Sequence, residues 1–319
     1  MRTKEQFLML FVLGSMMLAG LTACSGDDDT ATNDNAPQTA DDGVKVRRLT
    51  IMEADDGAAE ARQALTRASL TEDDGLTAKW TAGDALTYCN LSRVDYGNGD
   101  EPYTGPLAAT TTASTSQFTG DVACQHGDYL AVVYPVTTFE SNEEYSISLS
   151  GQDGTLATLA TRYHYVFGKA RVTAVTDNTA DATIGKMKSL LTVCKFSFVN
   201  KDGGAVIPIK SLSISYGGSG SDAGKYPQTA TVSLKDTDDA ILDQANVHAT
   251  GATGTGALTV TCPTAQEAVY VALLPTAAGR TFCFSVSDGS GNSYTGTAKA
   301  TLAEGEYVDA TGLRLTKQQ

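Results

Sequence analysis

The side chains of this 319-residue chain that have chemistry to offer are six cysteines, three histidines and 37 carboxylates. His126, His164 and His248 stand far apart, and none belongs to an H-E-x-x-H or comparable metal-binding spacing. No G-x-S-x-G nucleophile elbow occurs, nor a Gly-rich phosphate loop following a strand. Asp288-Gly289-Ser290-Gly291-Asn292 begins like an EF-hand loop, with oxygen side chains at alternate positions. The glycine required sixth is Ser293 and the bidentate acid required twelfth is Lys299, so a hairpin turn is the better reading. Asp236-Thr237-Asp238-Asp239 likewise reads as a solvated turn. A glycosidase needs two carboxylates that can be distant in sequence, but most acids here fall in tether or turn positions. These patterns assign no catalytic residue, no metal ligand and no cofactor.

One cysteine offers chemistry of another kind. Arg2 and Lys4 form a short positive region, and residues 7–21 are almost continuously apolar. That length suits a signal peptide and is short for a membrane span. The stretch ends in Leu21-Thr22-Ala23-Cys24, which resembles the bacterial lipobox. Residues 1–23 are then a lipoprotein signal peptide, and Cys24 carries the acyl chains that make a lasting outer-membrane anchor. Ser25-Gly26-Asp27-Asp28-Asp29 resembles the acidic signal that sends lipoproteins to the outer face of the outer membrane. Asp29-Thr30-Ala31 fits a short O-glycosylation pattern, which nominates Thr30. Residues 24–43 contain no Lys, Arg or aromatic residue and cannot bury enough apolar surface to fold. They read as a disordered tether with a reach of roughly 25 Å.

Removing the signal peptide takes the formal charge from −14 to −15, since Arg2, Lys4 and Glu5 leave together. Such an acidic body repels nucleic acid and anionic headgroups, so no nucleic-acid partner is expected. Beyond Cys24 lie Cys89, Cys124, Cys194, Cys262 and Cys283, an odd number with no C-x-x-C spacing. This argues against a zinc or redox site. Cys194 and Cys283 sit in alternating apolar runs, as small hydrophobes do. One disulfide, Cys89 to Cys124, is an option that an extracytoplasmic compartment allows.

The elements that would position these residues are strands. Residues 44–53 read as a first strand, with Leu49 and Ile51 on one face and Thr50 on the other. A polar, Ala-rich stretch follows over 55–66. Further strands fit 85–89, 117–122, 128–134, 145–149, 191–199, 207–216, 258–262, 269–274, 281–286, 293–300 and 308–316. Turn signals about every ten residues point to an all-β sandwich or barrel. The weakly alternating region 155–185 is the expected junction between an N-terminal domain, 44–170, and a C-terminal domain, 171–319. Residues 269–274 are apolar on both faces, which predicts a central strand. In the last strand Val308 and Ala310 have one parity, Leu313 and Leu315 the other. Gly312 between them predicts a bulge that swaps the faces.

Several stretches, in order, resemble the fimbrillin-like (Mfa-like, FimA-type) surface lipoproteins of Bacteroidales. They are Thr66-Arg67-Ala68-Ser69-Leu70 with Trp80-Thr81-Ala82-Gly83-Asp84, and Phe118-Thr119-Gly120 with Tyr129-Leu130-Ala131-Val132-Val133-Tyr134-Pro135. Met187-Lys188-Ser189-Leu190-Leu191, Phe196-Ser197-Phe198, Val269-Tyr270-Val271-Ala272-Leu273-Leu274-Pro275 and Leu302-Ala303-Glu304-Gly305-Glu306-Tyr307 continue the series. The resemblance implies two tandem transthyretin-like, Greek-key β-sandwich domains and a role as a fimbrial (pilus) subunit, non-enzymatic and without cofactor. It also implies that an arginine-specific protease removes the first strand and that a neighbouring pilin subunit donates a strand to the open groove. Arg67, at the matching Thr-Arg-Ala junction, and Arg62 are the candidate processing sites. Arg47-Arg48 lies within the first strand and should be protected while that strand is paired. Residues 308–316, with Val308, Ala310, Leu313 and Leu315, are the candidate donor. The competing reading is a monomeric outer-membrane lipoprotein that binds a glycan or host ligand. Trp80, the Tyr163-His164-Tyr165 run, and Tyr96 with Tyr103 are the aromatic candidates for that, with Trp80 expected in the core.

Overall fold

The computed structural model describes residues 43–53, 69–73, 75–93, 103–139, 144–185, 187–235, 241–249 and 256–319. Its first strands are β1 (Lys45–Glu53), β2 (Ser69–Asp73), β3 (Gly75–Lys79), β4 (Ala85–Asn90), β5 (Thr104–Ala109), β6 (Gln117–Cys124), β7 (Tyr129–Tyr134) and β8 (Glu144–Ser148). A short helical stretch, Leu156–Thr158, runs into a π-helical turn at Leu159–Tyr163. Then come β9 (Val166–Val175), β10 (Thr179–Ile184), β11 (Lys188–Ser189), β12 (Thr192–Asn200), β13 (Ile209–Tyr216) and β14 (Thr229–Lys235). The last six are β15 (Ile241–Ala249), β16 (Leu258–Gln266), β17 (Val269–Leu273), β18 (Arg280–Ser287), β19 (Ser293–Ala300) and β20 (Tyr307–Lys317).

The chain is all-β with two β-rich domains. The first sheet runs β10-β1-β6-β5-β4-β7-β9-β11, and β10 pairs with β9 as well. That second pairing closes the ring into a barrel and removes the free edges an open sheet would leave. A plain sandwich is therefore not what the first domain forms. Alternation sends Leu49, Leu86, Phe118, Val122, Leu130 and Val132 inward around Trp80. The Trp80 indole meets Phe118 and Tyr134 edge-on, with centroids 5.0 and 5.6 Å apart. The core expectation for Trp80 holds.

The second sheet, β16-β13-β18-β19-β20-β12-β17, forms a nearly closed barrel around Phe196, Phe198 and Phe284. β17 is buried as its apolar sequence suggests, but it ends the sheet rather than lying within it. Its outer edge is covered by a loop instead of a strand. The Ala272 N–H donates to Gln152 Oε1 at 2.8 Å, Gln152 Nε2 donates to the Ala272 carbonyl at 3.0 Å, and the Tyr270 N–H donates to the Gly154 carbonyl at 2.9 Å. The Thr261 N–H of β16, across the gap, donates to the Gln152 carbonyl.

Two further expectations change. Residues 166–184, weak in alternation, form β9 and β10, both in the first sheet, and the 170/171 division falls inside β9. Their inward residues Ala170, Ala180 and Ala182 are too small to mark a strong period. No disulfide joins Cys89 to Cys124, and Cys194, Cys262 and Cys283 form none. Cys124 packs inside the first barrel, while Cys89 belongs to the other core cluster on the outside of that wall, so the two are not bonded.

Candidate functional site

β1 is the element whose loss would open the first barrel. It lies antiparallel to β6, from Lys45 opposite Cys124 to Met52 opposite Gln117, and parallel to β10, from Arg48 opposite Thr179 to Glu53 opposite Ile184. Its inward side chains are Arg47, Leu49 and Ile51, all fully buried. Burying Leu49 and Ile51 contributes about 3–6 kcal/mol to holding the strand. The outward face is open: Val46 and Met52 are 47% and 46% exposed, among the few large apolar side chains that are.

Arg47 ends the apolar row with a charge, 1% exposed. Its Nε donates to the Thr176 carbonyl at 2.6 Å and Nη1 donates to the Cys124 carbonyl, with a longer contact of 3.4 Å to the Gly43 carbonyl. The guanidinium thus fills a socket of backbone acceptors at the ends of β6 and β9. Such directed bonds are what make a buried cation tolerable. Beside it, Lys45 Nζ meets Asp177 Oδ1 at 2.6 Å. That hydrogen bond and the Lys45 charge, with a smaller effect from Arg47, hold the Asp177 carboxyl below its usual range. Arg48 points outward to Asp121 at 3.2 Å across an exposed pair, which contributes little. Its backbone lies between those of β10 and β6.

The candidate donor residues lie in β20, parallel to β12. Val308 stands opposite Cys194, Ala310 opposite Phe196, Leu313 opposite Phe198 and Leu315 opposite Asn200. Two steps on β12 thus face three on β20, which is the predicted bulge. Gly312 takes φ +71 there and donates its N–H to Ser197 Oγ at 2.8 Å. Leu315 is buried and the other three are half-buried. On its other side β20 pairs with β19 only through Thr316 and Lys317.

Cys24, Thr30, Arg62, Arg67 and Tyr96 lie outside the described residues. Of the aromatic candidates, Tyr163 and Tyr165 make hydrogen bonds within the chain, and Tyr103 is half-buried. Tyr163 is buried and donates to the Ser150 carbonyl at 2.7 Å, and Tyr165 donates to the Ser148 carbonyl at 3.2 Å. His164 is buried between them. Asp288 accepts from the Ser290 and Asn292 N–H groups in the turn joining β18 to β19, the hairpin role its sequence suggests. Among the described residues no group of three or more His, Cys, Asp or Glu is placed to hold a metal ion.

One charged centre escaped the sequence entirely. Glu72, on the β2–β3 hairpin, accepts Lys195 Nζ at 2.7 and 2.9 Å, the Tyr307 hydroxyl at 2.6 Å and the Tyr270 hydroxyl. Burial acts to raise its pKa, but these hydrogen bonds and the Lys195 charge prevail and bring it down to about 2. The hub ties the segment just after Arg67 to β12, β17 and the first residue of β20. Glu72 is more than a hundred residues from each of its partners, so no local spacing announces the hub. Arg47, by contrast, shares its parity with Leu49 and Ile51, a signal that its charge obscures.

No family model matches the chain, and no curated protein matches it. Among solved structures, a candidate cell adhesion protein from Bacteroides ovatus ATCC 8483 aligns over 86% of this chain and 97% of its own, at 11% identity and a TM-score of 0.49. A candidate cell adhesion protein from Bacteroides eggerthii DSM 20697 covers 85% of this chain and 86% of its own, at 12% identity and a TM-score of 0.40. The shaft pilin SpaA from Lactobacillus rhamnosus GG aligns over 86% and 99%, at 9% identity and a TM-score of 0.33. Likenesses this distant lend no weight to one activity over another.

Proposed function

We propose that this chain is a cell-surface structural and adhesive subunit of the fimbrillin-like type, built of transthyretin-like domains, that assembles by exchanging its first strand for a neighbour's. The observation that carries this reading is β1 itself. It is a single segment, paired on both sides, that completes a barrel, and its removal would leave two facing edges, β6 and β10, over an apolar row. Such a gap is a template for an extended strand whose alternate side chains fill pockets. The stretch behind β1 carries Arg62 and Arg67, the cuts that would free it. Cys24 would anchor the unprocessed subunit to the outer face of the outer membrane, with Thr30 glycosylated on the tether. Cutting at Arg67 would detach lipid and β1 together.

The test is to treat the purified mature chain with an arginine-specific protease and follow intact mass and size. The expected result is loss of the segment ending at Arg62 or Arg67, followed by a ladder of oligomers. A chain that is cut but keeps β1 bound and stays monomeric refutes strand exchange. It would leave the monomeric surface lipoprotein with a glycan or host ligand as the better reading.

A further inference from the structure

We infer that Lys195, Tyr270 and Tyr307 form a carboxylate-binding site on the outside of the second barrel. Glu72 fills it from the β2–β3 hairpin, and a small external carboxylate takes it when that side chain is withdrawn. The site stands apart from strand exchange and does not depend on it.

Strand geometry puts the three donors together. On β12, Cys194, Phe196 and Phe198 are buried in the core, so Lys195 and Ser197 lie on the opposite face. Register brings both phenols to that face. Lys195 stands opposite Tyr270 on β17, and Val193, two residues earlier, stands opposite Tyr307 on β20. β12 lies between β17 and β20, so the donors are mounted on three neighbouring strands of one sheet. Glu72 belongs to none of them. Backbone pairing, rather than the carboxylate, sets the spacing of the donors.

The donors engage both oxygens of the carboxylate they hold. Oε1 accepts Lys195 Nζ at 2.7 Å and the Tyr307 hydroxyl at 2.6 Å, while Oε2 accepts the same ammonium at 2.9 Å and the Tyr270 hydroxyl. Burial, reinforced by the Glu72 charge, pushes both phenols up, so they stay protonated and able to donate. Asp309, opposite Lys195 on β20, is exposed and accepts the Thr311 N–H. An ammonium and two hydroxyl donors converging on two oxygens suit an anion with two equivalent acceptors. A neutral amide of the same shape has one acceptor oxygen and would turn an NH2 toward a donor. The Glu72 and Lys195 side chains are 25% and 22% exposed, so a solute reaches the site without opening the core.

Glu72→Ala deletes the same heavy atoms that make up acetate, which makes acetate the probe. Thermal unfolding of the whole mature chain carrying this substitution is followed in about 0.5 M potassium acetate, in potassium chloride of equal strength, and in that chloride with acetamide added. The midpoint should rise from chloride to acetate by about 2–4 °C more in Glu72→Ala than in the unaltered chain, whose site is already filled. Acetamide should give no such rise. Adding Lys195→Met to Glu72→Ala should abolish the difference, and adding Tyr307→Phe should shrink it. If Glu72→Ala loosens the hairpin, hydrogen exchange of β2 and β3 is the readout, with slower exchange expected in acetate than in chloride. No acetate effect in either measurement overturns the site, as does an equal rise with acetamide or a difference that survives Lys195→Met. Glu72 would then be a member of a structural ion pair and nothing more.

Discussion

Replacing Arg47 by Met keeps a long apolar stem inside the barrel and deletes the guanidinium. The part-buried Thr176 carbonyl, now bonded at 2.6 Å, and the buried Cys124 carbonyl both lose this donor. Each hydrogen bond lost from a charged donor removes about 1.5–3 kcal/mol. Removing the buried charge returns part of that, because its desolvation is no longer paid. Arg47→Met should therefore destabilise the protein by about 2–4 kcal/mol, and Arg47→Lys, which keeps a cation with fewer directed donors, by about half as much. Urea unfolding followed by tryptophan fluorescence suits the question. Trp80 is the single tryptophan and sits in the same barrel as β1. A midpoint for Arg47→Met within about 0.5 kcal/mol of the unaltered chain would show that the socket does not hold the strand.

Two more measurements follow from the geometry. The Glu72 pKa is depressed from 4.5 to about 2, so its contribution is full above pH 4.5 and is lost as pH falls toward 2. Glu72→Gln should cost about 1 kcal/mol near neutrality, allowing for solvent screening of a partly exposed group, and should flatten the acid limb of a stability–pH profile over that window. An unchanged acid limb would remove Glu72 as its source. Gly120 lies opposite Leu49, and a Cβ there would come within 2.5 Å of the Pro106 carbonyl oxygen and 2.8 Å of Leu107 Cδ2. Gly120→Ala should lower stability by about 1–3 kcal/mol in thermal unfolding, whereas Gly185→Ala, with nothing within 4 Å, should lie within about 0.5 kcal/mol of the unaltered chain. Equal effects at the two sites would refute the steric argument.

Much of the strand pattern was legible because large apolar residues alternate plainly where one face is buried. Residues 44–53, 293–300 and 308–316 read as strands, and β1, β19 and β20 occupy them to within a residue. The bulge at Gly312 was legible for the same reason, since parity changes there and glycine tolerates the backbone it needs. The candidate groove was half legible. Leu49 and Ile51 announced its apolar face, but Arg47 contributes to that face only because two distant strand ends bring carbonyls to it.

The chain's local chemistry thus decides that it is all-β, where its strong strands lie, and that no recognised catalytic or metal motif is encoded. Only the tertiary structure decides how the sheets end. β10, marked in sequence by little more than alanines, closes the first barrel by pairing with β9 and β1 at once. β17, apolar enough for a central strand, sits at an edge because a glutamine side chain serves in place of a neighbour. Cys89 and Cys124 are separated by the wall they share, and Glu72 gathers partners from three later strands. Alternation fixes which face of a strand is buried. It carries no information about which strand lies beside it, since that depends on contacts between residues far apart in the chain.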